Sequence, residues 1–395
     1  MKSLLFFFLL CGISVTVTKA QIPQSIAMPS GYTSSQLRPK NCLFTDQQNN
    51  YWIGFSKIGL ARYDGSWTVF DSLNSGFSSN NCRSIAQLNN GNIVMCTSSN
   101  VSVYNGSNWQ HFDHLNSALP QTGITVVTTD GNNIWIGTSN GVFRYDGNTW
   151  TGFNTSNSSL INDTITCLSS QNGIIGVGTR NGVSVYRQGV WTSVTTGTVY
   201  IENNINDIAV NSSNEVWFTT NTGKAWYIES NGVNLISFQS TLPQQYYVCQ
   251  SDTLSFVAIE SDGNSTYLIN NLSVRLILKI SSTHQIIYTE QPLAFPLNSM
   301  FDIFNSRLTS VFVNFGIMDS LFILDLNQLN FEPLTSYFYN RFVMDVNQVK
   351  ALIKNDGSMH WDPIGQTPLY DVPKCSFKQP IYSSGFWIGG FEVCH

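Results

Sequence analysis

Apolar and polar positions alternate along this chain in short bursts, and the bursts return at a fixed distance. In the clearest copy, GITVVTTD is β-branched and suits a strand, DGNN makes a turn, and IWIGT reads as a second strand. SNG turns again, VFRY is a third strand, DGN turns, and TWTGF is a fourth. Asn-Gly and Asp-Gly suit hairpin turns because both tolerate positive φ. Tyr63, Tyr104, Tyr145, Tyr186 and Tyr227 follow one another at intervals of 41 residues. A second column holds Trp67, Trp109, Trp150 and Trp191, and a third holds Trp52, Val94, Trp135, Gly176 and Trp217. A fourth runs through Leu43, Ile85, Val126, Cys167 and Ile208.

A four-stranded antiparallel unit of about 40–45 residues cannot bury both of its faces alone; packed radially around an axis it becomes a blade. The expected fold is therefore all-β, a β-propeller. A parallel solenoid is the alternative for regular β repeats, but its rungs are shorter and need no three hairpins each. Five units are plain, and a degraded sixth follows around Cys249 and Tyr267. The stretch FDIFNSRLTSVFVNFGIMDSLFILD repeats the rhythm once more. Seven blades are expected over residues 41–335, with six and an irregular extension as the alternative. Residues 21–40 form a lead-in, and 336–395 a short irregular C-terminal segment.

Composition narrows the setting. Hydrophobic residues make up 42 % of the 395, enough for a sizeable core. Charged residues are only 11 %, under half the roughly 25 % usual in soluble proteins, so Asn, Ser, Thr, Gln and Gly cover most of the surface. A net charge of −5 supplies no basic face for nucleic acid. The N-terminus has Lys2, an apolar run from Leu4 to about Val17, and small residues Thr18 and Ala20. That is the layout of a signal peptide cleaved near Ala20, and it places the chain in the periplasm, at the cell surface or outside the cell. No other stretch is long and apolar enough to span a bilayer.

Candidate chemistry is sparse. Of eight cysteines, Cys11 lies in the leader; the remaining seven have no C-x-x-C or metal-ligand spacing and read as apolar filler, with disulfides or a catalytic role as the alternatives. His111 and His114 form H-x-x-H around Asp113, without a third ligand in view, and read as surface residues. No H-E-x-x-H, G-x-S-x-G or phosphate-binding loop occurs. No catalytic residue, metal or cofactor is therefore expected. YDGNTW at Tyr145–Trp150 comes near a sialidase hairpin motif but is one residue short. The arginines such an enzyme would gather (Arg38, Arg62, Arg83, Arg144, Arg180, Arg187) include several in repeating structural slots.

The tryptophan and tyrosine columns are expected to fill the spaces between blades. Binding then falls to the loops joining one blade to the next, where Phe77, Tyr200, Tyr246 and Tyr247 are exposed aromatic candidates. A glycan, a peptide or another cell-surface protein is the expected partner.

WIGFSKIGLARYDGSWTVF and WIGTSNGVFRYDGNTW resemble two-component-regulator propeller repeats. The resemblance is strong over residues 51–70 and 134–153 and faint after about 240. It implies a periplasmic or secreted propeller of the kind found in the sensor halves of hybrid kinases; no kinase segment follows here. The tail, with Asn347, Val349, Ala351, Asn355, Gly357, Trp361 and Asp362, then YDVPK and WIGG, resembles the opening segment of large secreted proteins of Bacteroidetes-type bacteria. A truncated or frame-shifted reading frame and a genuine short form are both open. The expected function is an exported, non-catalytic, sensor-like binding scaffold. A secreted glycan hydrolase or lyase on the same fold, or part of a larger adhesion protein, are the alternatives.

Overall fold

The structure, a computed structural model, describes residues 24–33, 36–37, 39–196, 203–231 and 234–238. Beyond these it describes 256–261, 265–270, 277–280, 284, 286–289, 300–304, 307–311, 320–325 and 331–333, then the strands of 344–390. Alternating patterns and Gly-containing turns give strands throughout, ordered in sequence into antiparallel sheets. The first five sheets cover residues 39–70, 84–112, 124–153, 165–194 and 205–238. A sixth covers 256–289 and adds Phe331–Pro333. The seventh joins Met300–Phe304, Arg307–Val311 and Ser320–Asp325 to the N-terminal strand Gln24–Ala27.

The first strand of each sheet touches that of the next, and Met300–Phe304 touches Pro39–Thr45, so the ring closes. The chain is a β-propeller. The N-terminal strand completes the last sheet, and Trp67 of the first sheet donates its indole N–H to Ala27 O at 2.7 Å. Ile26 and Met28 pack there with Tyr51, Ile53 and Phe55. The start and end of the ring are thus held by chain segments about 300 residues apart in sequence. Residues 344–372 form a further four-stranded sheet, and 380–390 a hairpin, among the described residues.

The core is a series of wedges between neighbouring sheets. Trp52, Trp135 and Trp217 are buried. Trp52 stacks on Phe70 of its own sheet at 5.9 Å and meets the edge of Tyr104 in the next at 6.2 Å. Trp135 repeats this with Phe153 at 5.9 Å and Tyr186 at 5.0 Å. In the outer layer Tyr63 packs on Trp67, Tyr104 on Trp109, Tyr145 on Trp150 and Tyr186 on Trp191, at 4.8 to 5.2 Å. Large rings suit this place because the gap between sheets widens away from the axis.

Near the axis the sheets close in and small groups take over. The inner strands form no ladder with one another; hydroxyls bridge them instead. Ser84 donates to Val127 O at 3.2 Å, Thr125 to Ile165 O at 3.2 Å and Thr129 to Gln87 O at 2.6 Å. Each bond gives a partner to a carbonyl that a neighbouring strand would otherwise pair. In the fifth sheet the bridging group is a carboxylate: Asp207 accepts from Ile259 N at 2.9 Å and from Ile208 N at 3.0 Å. Burial raises the Asp207 carboxyl to about 6, against the pull of those two N–H donors.

Two outcomes are expected. A Cβ on Gly137 would lie 2.6 Å from Ile165 Cγ2 in the next sheet and 2.7 Å from Val126 Cγ1. Gly137→Ala should therefore lower the unfolding free energy by about 1–3 kcal/mol, read from the urea midpoint. An unchanged midpoint would mean that the sheets can spread. For Asp207 the folded value lies above the ordinary 3.8. Its contribution to stability is fully present below about 3.8 and is lost as pH rises through about 6. Carboxyl-carbon NMR should give Asp207 a midpoint near 6, and a midpoint in the ordinary aspartate range would contradict the assignment.

Candidate binding face and an irregular junction

The first three loops leading from an outer strand to the next inner strand share a local design. Asp71, Asp113 and Asn154 each accept from the backbone N–H two residues on, at Leu73, Leu115 and Ser156, at 2.8 to 2.9 Å. The Asn three residues on (Asn74, Asn116, Asn157) accepts from the N–H of that first residue at 2.8 to 2.9 Å. The same Asn donates back to Val69 O, His111 O or Gly152 O at 2.9 to 3.0 Å. These are side-chain substitutes for a backbone turn. Six residues after the opening position, Phe77, Leu119 and Leu160 turn inward and are buried. The pattern is [DN]-x-x-N-S-x-apolar, a further column that repeats across three loops. Its small polar residues pass for ordinary loop composition, and only the spacing could have revealed it.

This corrects the reading of Phe77 as an exposed aromatic. Its side chain is 4 % exposed and stands edge-on to Trp109 at 4.7 Å. It plugs the loop onto the second sheet because its position faces the wedge between sheets. Tyr200, Tyr246 and Tyr247 lie outside the described residues. Two of these loops expose a leucine at an equivalent crest, Leu73 at 93 % and Leu115 at 81 %; the third has Ser156 there. His111 does not pair with His114; its Nδ1 bonds Ser102 Oγ at 2.9 Å. Among the described residues no three His, Cys, Asp or Glu side chains come together as metal ligands.

The arginines are spent separately. Arg62 pairs with Asp64 at 2.7 Å and lies over Trp52, Arg144 lies over Trp135, and Arg83 donates to Ile124 O. Arg187 donates to Ser230 O and Asn214 O. Arg62 and Arg144 serve their own sheets, and Arg83 and Arg187 each reach the next.

The repeat breaks between the fifth and sixth sheets. Tyr227 continues the tyrosine column, but Leu235–Phe238 carries no tryptophan to stack on it. Trp217 at 4.5 Å and His284 at 4.4 Å take that place. His284 comes from the connection between Ile277–Ile280 and Ile286–Thr289, with φ at 58°. Its Nε2 meets Glu215 Oε1 at 2.7 Å, and its Nδ1 lies 3.4 Å from the Tyr227 hydroxyl. Glu215 Oε2 accepts from Trp217 Nε1 and Asn211 Nδ2, both at 2.9 Å. Burial, the largest influence, pushes the Glu215 carboxyl up; hydrogen bonds from Trp217, Asn211 and His284 outweigh it and hold it below its ordinary value. Burial and the nearby Glu215 and Glu229 carboxylates raise Tyr227. The cluster is a polar clasp between two sheets, and its imidazole–carboxylate pair is the one place among the described residues where a histidine meets an acid.

No family model matches the sequence, and no curated protein does. Solved structures do match in fold. One is the extracellular domain of BT4673 from B. thetaiotaomicron, named as a one-component system, at TM-score 0.55 and 17 % identity over 93 % of this chain and 47 % of that one. Another is the extracellular domain of BT3049 from the same organism, named as a hybrid two-component system. It matches at TM-score 0.55 and 18 % identity over 90 % of this chain and 54 % of its own. A third is virginiamycin B lyase from Staphylococcus aureus, at 0.56 and 12 %, over 77 % of this chain and 99 % of that one. The chain spans about half the length of the two extracellular domains. At these identities the likeness is one of fold.

Because Glu215 is held below its ordinary value of 4.5 in the folded chain, its contribution to stability is fully present above about 4.5. It is lost as pH falls through the lowered value. Glu215→Gln should flatten the acid limb of the melting-temperature profile, measured by circular dichroism. A parallel shift of the whole profile would show that the carboxylate charge is irrelevant to the clasp.

Proposed function

We propose that this protein is an exported, non-catalytic propeller that binds a partner through the loops joining its blades. The observation that carries this reading is the pair of leucine crests. Leu73 and Leu115 stand almost fully exposed on loops whose polar groups bond inward to their own backbone. Exposed leucines on self-braced loops lose little loop entropy on binding, which favours recognition. The fold shared with extracellular domains of two signalling systems supports the same reading. So does the leader-like segment at 1–20. Among the described residues, no helix is long and apolar enough to cross a membrane.

The partner of this reading is a peptide, a glycan or another cell-surface protein, with Tyr200, Tyr246 and Tyr247 as further loop candidates. On this reading the propeller takes in the N-terminal strand Gln24–Ala27 together with residues 39–335, rather than 41–335 alone, and 336–395 is a C-terminal segment lying after it. A second reading, a secreted enzyme on the same fold, is favoured by the His284–Glu215 pair and by the lyase that shares the fold. Turnover of a polysaccharide or cyclic peptide that His284→Ala abolishes would establish it in place of the first.

Purified chain screened on peptide and glycan arrays tests the first reading. The double variant Leu73→Asp and Leu115→Asp should lose at least about tenfold in affinity for any ligand found, with an unchanged melting temperature, because desolvated apolar anchors dominate binding energy. Undiminished binding by that variant would remove the loop crests from the site.

A further inference from the structure

We propose that Cys42 and Cys82 are joined by a disulfide that staples the first sheet of the ring to the second. Their sulfurs lie 3.3 Å apart, one on the inner strand Pro39–Thr45 and the other just before Ser84–Gln87. Both side chains are buried. The same place recurs around the ring, and the repeat shows what it ordinarily holds. Over Gly137 sit Val126 and Ile165, and over Gly178 sit Cys167 and Ile205. Over Gly54 sit Cys42 and Cys82; a Cβ there would lie 2.5 Å from one sulfur and 2.8 Å from the other. Thus the residue facing the glycine and its partner from the next sheet are an aliphatic pair, then a cysteine–aliphatic pair, and only at the first junction two cysteines.

The backbone brings the two cysteines together without help from them. Cys82 N donates to Phe55 O at 3.2 Å, and Phe55 follows Gly54 directly on the adjoining strand. An S–S bond is about 2.05 Å long, so the sulfurs need to close by roughly 1.2 Å. A bond here would close a loop across the first junction, between the first and second sheets; the N-terminal strand braces the other face of the first sheet. Such a link stabilises chiefly by restricting the unfolded chain.

The oxidant is an external disulfide, of the glutathione or thiol–disulfide oxidoreductase class. One cysteine gives up its proton and attacks that disulfide, forming a mixed disulfide and expelling one thiolate. The second cysteine gives up its proton and attacks the protein sulfur, forming the Cys42–Cys82 bond and expelling the other thiolate. Two protons and two electrons leave the cysteine pair, and the external disulfide is reduced to two thiols. Burial, then the neighbouring Cys82, push the Cys42 thiol well above its ordinary range. Exchange therefore belongs to the time before this junction closes, during folding. An oxidising compartment is needed, so the bond in the cell rests on the export reading above. The experiment supplies the compartment itself, which separates the two.

The chain, with residues 1–20 exchanged for a standard export leader, is recovered from a bacterial periplasm. It is alkylated with iodoacetamide in denaturant and digested with trypsin without reductant. Mass spectrometry should find the peptide ending at Lys57 linked to the peptide ending at Arg83, with Cys96 and Cys167 alkylated. Recovery of Cys42 and Cys82 alkylated, or of either linked to Cys96, overturns the proposal. As a second measure, dithiothreitol should lower the melting temperature of the exported chain by several degrees. The variant Cys42→Val with Cys82→Ile, which installs the aliphatic pair of the third junction, should show no such shift. Equal shifts in both proteins would also overturn it.

Discussion

A four-stranded sheet has two apolar faces, and among the described residues these are covered by neighbouring sheets. Every core cluster among the described residues lies between two neighbouring sheets, built from the residues of both. The stability of each blade therefore depends on the presence of the next, and the ring on its closure. That explains why the N-terminal strand is carried across to the last sheet, where Trp67 and Ile26 fasten it. An open ring would leave one apolar face and one strand edge exposed to water.

Radial packing also sorts residue types by distance from the axis. Tryptophan and tyrosine fill the wide outer wedges, glycine and β-branched residues the narrow inner ones, and hydroxyls join inner strands too close for side-chain packing and unable to pair as a ladder. Ser and Thr at the axis satisfy carbonyls that a charged side chain could satisfy only at a desolvation cost. Asp207, which bridges inner strands by accepting from backbone N–H groups, shows the cost of burying a carboxylate in its raised carboxyl.

Regularity identifies what is structural, and departures from it mark where other roles lie. The loop design around Asp71, Asp113 and Asn154 is itself regular, so the loops are not loose connections but braced turns with an inward plug. In the first two of them a leucine, Leu73 or Leu115, stands exposed at the crest. The His284–Glu215 clasp and the Cys42–Cys82 pair are departures of another sort, each replacing the usual contents of a junction with polar or reactive groups.

Much of the fold was legible in the sequence, because strand periodicity, turn glycines and columns spaced by 41 residues are local or strictly repeating signals. They determined strands, sheets and the radial architecture, and they marked Trp52, Trp135 and Trp217 as filler between blades. Phe77 was not legible, since a phenylalanine among Asn, Ser and Gly looks solvent-facing until the loop's hydrogen bonds turn it inward. Nor was the partnering of His284 with Glu215, 69 residues away. Cys42 and Cys82 lie 40 residues apart, near one repeat, yet the sequence offered no reason to pair them over any other two cysteines. Local patterns are set by backbone preference and by the alternation of apolar residues, which act over a few residues. Which side chains meet across a junction is decided only when separate sheets pack, and that decision belongs to the tertiary structure.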